Sequence, residues 1–223
     1  MENYFKRQIQ LWGKDTQSNL QHKHILIIGC GGLGCSLGVA LGSSGIGKIT
    51  LVDFDEINLH NIHRQIAFTI QDINKNKAQV LKEHILKRNP KVEVKYFELN
   101  FSDFVSVNDN VDFDLILDAT DNLQTRVEID KFSKQYNIPW IYASVEEFYA
   151  QVCFFKNSSF ESVFNINSTA SKGIAAPMVM NTASFQANLA IRYLADLSVK
   201  KDMLYYMFFN DAGEFVVQKF KVG

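Results

Sequence analysis

The chain has 223 residues, with 23 Lys and Arg against 24 Asp and Glu, a formal net charge of −1, and 47% hydrophobic residues. That length suits one domain with an ample core, and 21% charged residues beside 13% aromatics exclude a disordered chain. A near-neutral balance supplies no overall pull toward nucleic acid or anionic lipid, and neither is expected as a partner.

Taken in chain order, a polar helical stretch from about Asn3 to Leu20 comes first, followed by a β-rich run, His24–Ile28. That run ends in Gly29-Cys30-Gly31-Gly32-Leu33-Gly34, and Cys35–Ser44 reads as a helix of small residues closed by Gly45 and Gly47. A second strand, Lys48–Val52, ends in Asp53-Phe54-Asp55. Then come a helix near Lys77–Lys87, stopping before Pro90, a strand Val92–Phe97, a buried strand Phe113–Leu117 and a helix Asn122–Tyr136. Pro139–Ala143 and Gln151–Phe155 supply two more strands. The Ser-, Asn- and Thr-rich stretch Asn157–Ala176 reads as a long loop, functional or mobile. A helix with Pro at its start (Pro177–Leu197) then leads to strands Leu204–Phe209 and Glu214–Lys221, joined by the turn Asn210-Asp211-Ala212-Gly213.

Strands alternating with helices predict an α/β fold: a doubly wound, mostly parallel Rossmann-like sheet with helices on both faces and a C-terminal antiparallel hairpin. One domain over 1–223 is expected, with an N-terminal helical arm (1–22), a nucleotide-binding core (23–156), a crossover loop (157–176) and a C-terminal helix and hairpin (177–223). The best apolar stretch, Met178–Ala195, is interrupted by Asn181, Gln186, Asn188 and Arg192, so no membrane span is expected. Met1-Glu2-Asn3-Tyr4 lacks the basic and apolar regions of a signal peptide, and three scattered cysteines, Cys30, Cys35 and Cys153, argue against a disulfide framework. A reducing cytoplasm fits both observations.

Gly29-x-Gly31-x-x-Gly34 follows a strand and opens a helix, the context in which such a loop cradles phosphates at a helix N-terminus. Asp53, ending the next strand, is placed to hold ribose hydroxyls, and alone this pattern suggests NAD. The residues after Asp53 do not suit a dehydrogenase: Asp55, then Asn58-Leu59-His60-Asn61-Ile62-His63-Arg64-Gln65, where Arg64 offers a bidentate fork to phosphate. Lys77, opening a helix, adds a second cation, although both cations also read as solvated surface charge. Asp118-Ala119-Thr120-Asp121-Asn122 follows a buried strand. Asp121 there either holds Mg²⁺ beside substrate phosphates or caps the next helix. Together these residues point to ATP and Mg²⁺ rather than hydride transfer. His60 and His63 lack a third metal ligand and read as ordinary loop histidines.

The residues also resemble a known family, the ThiF/MoeB/HesA group of bacterial relatives of ubiquitin-activating enzymes. The resemblance rests on Arg7-Gln8-Ile9, Gly29–Gly34, Leu51–Asp55, Asn61–Gln65, Asn76-Lys77-Ala78, Ala119–Asn122 and Phe148–Val152, in order over about residues 4–195. It implies adenylation of the C-terminal Gly-Gly carboxylate of a ubiquitin-like sulfur carrier, ThiS-like or MoaD-like, for thiamine or molybdopterin biosynthesis. By position it implies that Gly32, Asp53, Asn61, Arg64, Lys77, Asp121 and Asn122 bind ATP and its metal. Gly29, Gly31, Gly34, Asp55 and Gln65 complete the expected nucleotide set. Arg7 would reach the phosphates of the other subunit in a homodimer.

Many members hold zinc in two C-x-x-C pairs; this chain has neither, so no zinc site is expected. Some members carry a cysteine in the crossover loop, but Asn165-Ile166-Asn167-Ser168-Thr169-Ala170 has none, leaving adenylation as the expected activity. The alternatives are activation of another carboxylate such as a peptide C-terminus, an NAD-dependent oxidoreductase, and a nucleotide-binding scaffold without catalysis.

Overall fold

β1 (His24–Ile28) is a run of five buried residues, and β2 (Lys48–Val52) is buried except at its first position. Strands apolar on both pleat faces need cover on both sides, and two separate cores supply it. Ile25 and Ile27 belong to one core, Leu26 and Ile28 to the other. The structure, a computed structural model, describes residues 2–109, 111–164 and 173–223. The cysteine-free loop stretch 165–170 lies outside the described residues.

β3 (Glu93–Phe97), β4 (Leu115–Asp118) and β5 (Trp140–Glu146) complete the parallel part of an eight-stranded sheet. β6 (Tyr149–Phe155), β7 (Met203–Phe209) and β8 (Phe215–Lys221) extend it antiparallel, in the order β3-β2-β1-β4-β5-β6-β7-β8. Register brings Ile28 level with Val52 on one side and Asp118 on the other, so β1, β2 and β4 end together.

On one face α2 (Gly32–Ser44), α3 (Lys77–Arg88) and α7 (Ala176–Leu194) bury Leu37, Leu81 and Ala183. On the other, α4 (Phe101–Val107), α5 (Leu123–Tyr136) and α6 (Phe160–Val163) bury an aromatic core containing Phe104, Phe132, Trp140, Phe155 and Phe160. α1 (Lys6–Leu20) packs Leu20 and Trp12 against the first core. The expected doubly wound architecture, with its antiparallel C-terminal hairpin, is the one observed.

Several bounds differ from the sequence reading, each for a local reason. α2 begins at Gly32, inside the glycine loop, because the loop turns directly into the helix. α4 has no counterpart in the sequence reading: it spans seven residues, too few to show a helical period, and rests on an Asn100 cap accepting from the Asp103 N–H at 2.8 Å. α6 is a single helical turn within the expected crossover loop, and α7 starts one residue before Pro177 and stops at Leu194. Among the described residues no helix is long and apolar enough to cross a membrane.

Candidate active site

In sheet order β1 lies between β2 and β4, the point where chain connections diverge to opposite faces and leave a crevice at the strand ends. A cleft of about 950 Å³ opens there. It gathers every sequence-predicted site residue except Gly34 and Arg7. Gly29 turns the chain out of β1 with φ +88°, and its N–H donates to the Val52 carbonyl at 2.9 Å. A side chain at this position would put its Cβ 2.5 Å from the Ala119 carbonyl oxygen, so only glycine lets the β1 and β4 ends lie this close. Gly31 caps α2, whose free first-turn N–H groups attract anions. Gly34 is buried beneath the loop, against the Gly29 carbonyl.

Asp53 is buried, and its two carboxylate oxygens accept from the Cys30 N–H at 2.6 Å and the Asp55 N–H at 2.8 Å. Burial pushes its carboxyl above the ordinary range, against the pull of those two amides and Lys77. Asp53 therefore fastens the glycine loop to β2, and each oxygen keeps a lone pair for a ligand hydroxyl. Asn76 caps α3 and ties its amide to the Asp53 carbonyl at 3.0 Å. Lys77, the next residue, is buried and places its ammonium 2.6 Å from the half-exposed Asp55 carboxylate. The helix start thus aims a cation at the loop after β2.

Beyond Asp55 the chain makes a tight helical turn over Leu59–Asn61. The buried Asn61 accepts from the Asn58 N–H at 3.0 Å, and its own carbonyl accepts from the Arg64 and Gln65 N–H groups. Arg64 folds back to give one Nη1 to the His60 carbonyl at 3.0 Å and to His63 Nε2 at 2.9 Å. The rest of its fork makes no hydrogen bond among the described residues. Gln65 is 3% exposed, and its carbonyl oxygen is buried without a hydrogen-bond partner among the described residues.

At the end of β4, Asn122 rather than Asp121 caps α5, accepting from the Thr125 N–H at 2.8 Å. That settles one of the two competing sequence readings, because Asp121 does not cap. It lies exposed at the cleft, with no hydrogen bond or ion pair among the described residues. Behind it sits a buried ion pair not anticipated from the sequence: Arg126 Nε lies 3.1 Å from Asp118 Oδ2. The D-N-x-x-x-R spacing that places Arg126 one turn into α5 was visible, but an arginine on a helix reads as solvated.

Arg7 lies on the exposed side of α1, donating to Gln10 Oε1 at 3.1 Å, and does not line this chain's own cleft. Cys30, Cys35 and Cys153 are free and buried, and burial pushes the Cys35 thiol up to about 12. A thiol held that firmly protonated is a packing residue rather than a nucleophile.

The ThiF family model matches residues 5–223. The chain belongs to the ThiF family. Among relatives of this ThiF-family chain, the sulfur carrier protein ThiS adenylyltransferase of Escherichia coli is 30% identical over 192 residues, covering 82% of this chain and 76% of the relative. The molybdopterin-synthase adenylyltransferase of E. coli is 28% identical over 202 residues, covering 86% and 81%. The aligned region spans only 36% of the probable adenylyltransferase/sulfurtransferase MoeZ of Mycobacterium tuberculosis and 49% of the Caenorhabditis briggsae adenylyltransferase and sulfurtransferase MOCS3. Among solved structures, E. coli MccB with AMPCPP and MccA matches at a TM-score of 0.86 and 25% identity, over 100% of this chain and 72% of that one. MccB with ATP matches at 0.84 and 26%, over 99% and 72%.

The site of this ThiF-family chain fits ATP and Mg²⁺ on its own observations. Among the described residues Gln65 offers a buried acceptor lacking a donor, and Asp121 a carboxylate without a hydrogen bond or ion pair in the cleft that Arg64 and Lys77 also line. Among the described residues no group of three or more His, Cys, Asp or Glu can hold a metal ion. One carboxylate with substrate phosphates is the ligand set Mg²⁺ commonly takes.

Proposed function

We propose that this chain is an ATP-dependent adenylyltransferase that activates the C-terminal glycine carboxylate of a ubiquitin-like sulfur carrier, ThiS-like or MoaD-like, for thiamine or molybdopterin biosynthesis. It works as a cytoplasmic homodimer, with the arm 1–22 serving the partner's cleft. The observation that carries the reading is the convergence of Asp53, Arg64, Lys77 and Asp121 on one cleft at the ends of β1, β2 and β4, in a fold matched along its whole length by MccB.

In this reading the glycine loop and the N-terminus of α2 take the phosphates, and Asp53, with Asn61 and Gln65 nearby, orients the nucleoside. The acceptor carboxylate is already ionised at neutral pH, so no general base is required. Its oxygen bonds to the α-phosphorus, the bond to the β-phosphate oxygen breaks, and pyrophosphate leaves with that electron pair. Arg64, Lys77 and Arg7 of the partner subunit offset the charge that spreads over the departing phosphates. Mg²⁺, when held by Asp121, adds electrostatic stabilisation of the same oxygens. Lys77 is delivered to this task from its pairing with Asp55, which gives the buried ammonium a partner until the phosphates arrive.

Exchange of labelled pyrophosphate into ATP tests the proposal against a panel of Gly-Gly-ending carriers from the host. One carrier should stimulate exchange, and its identity assigns the pathway. No exchange with any carrier, together with tight NADH binding, would favour the oxidoreductase. A second reading, activation of another carboxylate such as a peptide C-terminus, draws on the MccB structures with MccA. Exchange stimulated only by a short peptide acceptor would select it.

A further inference from the structure

Asp118 and Arg126 are 0% and 5% exposed, and their pair does more than fill the core beneath the cleft. Thr120 donates its N–H at 2.9 Å and its hydroxyl at 2.7 Å to Asp118 Oδ1. Arg126 Nε takes the other carboxylate oxygen, while Nη2 donates to the Thr120 carbonyl at 2.7 Å and to the Ala143 carbonyl of β5 at 3.3 Å. The Tyr142 ring lies against the guanidinium, 5.0 Å from ring centre to Arg126 Cζ. From α7 the buried Gln186 amide donates to the Asp118 carbonyl at 2.8 Å and the Ile141 carbonyl at 2.9 Å. Residues 118–120 are therefore held at both side chain and backbone, and Arg126 closes the ring.

Asp121 comes directly after. Asn122 has taken the cap of α5, so the path of the backbone through Thr120 decides where the Asp121 carboxylate points. The electrostatics agree. A lone guanidinium behind a cation-binding carboxylate would compete for it, whereas one matched by Asp118 adds no net charge.

We infer that Arg126 is a positioning residue: by gripping Asp118, Thr120 and Ala143 together, it fixes the 118–122 loop so that Asp121 presents its carboxylate to a divalent cation in the cleft. This rests on the reading of Asp121 under Proposed function. Arg126→Lys keeps a cation opposite Asp118 but loses the planar fork that reaches the two carbonyls. The probe is Mn²⁺ binding to the protein–ATP complex, followed by electron paramagnetic resonance, with ATP binding in EDTA measured by calorimetry.

Arg126→Lys should weaken Mn²⁺ by about tenfold or more, the usual loss when an outer partner of a metal ligand is removed. Metal-free ATP binding should stay within about twofold. In the Asp121→Asn background the same substitution should add almost nothing, since groups acting through one another are non-additive. An equal Mn²⁺ loss in both backgrounds, or a parallel loss of metal-free ATP binding, would overturn the inference while leaving the proposed function standing. A wild-type protein whose ATP complex binds no Mn²⁺ would overturn both. Should Arg126→Lys not fold, the paired variant Asp118→Asn/Arg126→Gln leaves no buried charge unmatched and should show the same selective Mn²⁺ loss.

Discussion

Replacing Gly29 by alanine tests the packing on which the cleft depends. Two penalties combine there. The backbone sits at φ +88°, where an L side chain costs about 1–2 kcal/mol. The new Cβ would also lie 2.5 Å from the Ala119 carbonyl oxygen, and relieving such overpacking costs about 1–3 kcal/mol. Together these are about 2–5 kcal/mol, or roughly 10 °C in Tm for a chain of this size. Gly213 in the β7–β8 turn is the control: it has φ +77° and nothing within 4 Å of a built Cβ, so Gly213→Ala meets only the first penalty. Equilibrium urea unfolding of both variants should show Gly29→Ala the more destabilised by about 1–3 kcal/mol. ATP affinity by calorimetry should fall for Gly29→Ala and hold for Gly213→Ala. Equal destabilisation of the two would refute the close approach of β1 to β4.

Arg64→Ala should lower turnover in pyrophosphate exchange by about 10²-fold or more, as loss of one charged donor to a developing oxyanion commonly does, with Tm nearly unchanged. Mixing Arg7→Ala with Asp121→Ala subunits, each nearly inactive alone, should restore roughly a quarter of wild-type activity, since half the dimers are mixed and one site in each is whole; no recovery would refute the role of Arg7 in the partner's cleft. Burial holds the His24 imidazole below its ordinary pKa of about 6.5, so the unfolded chain binds the proton more readily than the native one. Stability should therefore fall as pH drops below about 6.5, and His24→Gln, which keeps a partner for Thr50, should flatten that slope in urea titrations at pH 5 and 7.

Much of this arrangement was legible in the residues. The strand–glycine loop–helix pattern, the carboxylate after β2 and the buried run leading to Asp118 carry strong periodic or positional signals, and each element forms, with α2 starting at Gly32 and β4 running from Leu115 through Asp118. The elements that escaped are short or tertiary in origin. α4 is less than two turns long, and its cap, Asn100, reads equally well as a loop residue. Arg126 escaped because its partners, Asp118 and the Ala143 carbonyl, meet it only once β4, α5 and β5 have packed. That Asn122 rather than Asp121 caps α5 turned on a one-residue shift in the start of the helix, below what sequence alone resolves. Asp53 shows the reverse. Its position was evident, but its bonds to the Cys30 and Asp55 amides make it a fastener of the loop as well as a candidate ribose ligand.

The most direct test of adenylation is the intact mass of a Gly-Gly-ending carrier incubated with the protein, ATP and Mg²⁺, in the absence of any sulfur donor. The account predicts a carrier heavier by one adenylyl group at its C-terminal carboxylate, and no such product from Asp121→Ala protein. An unmodified carrier from every candidate of the host, with NADH bound in the cleft in place of ATP, would contradict it.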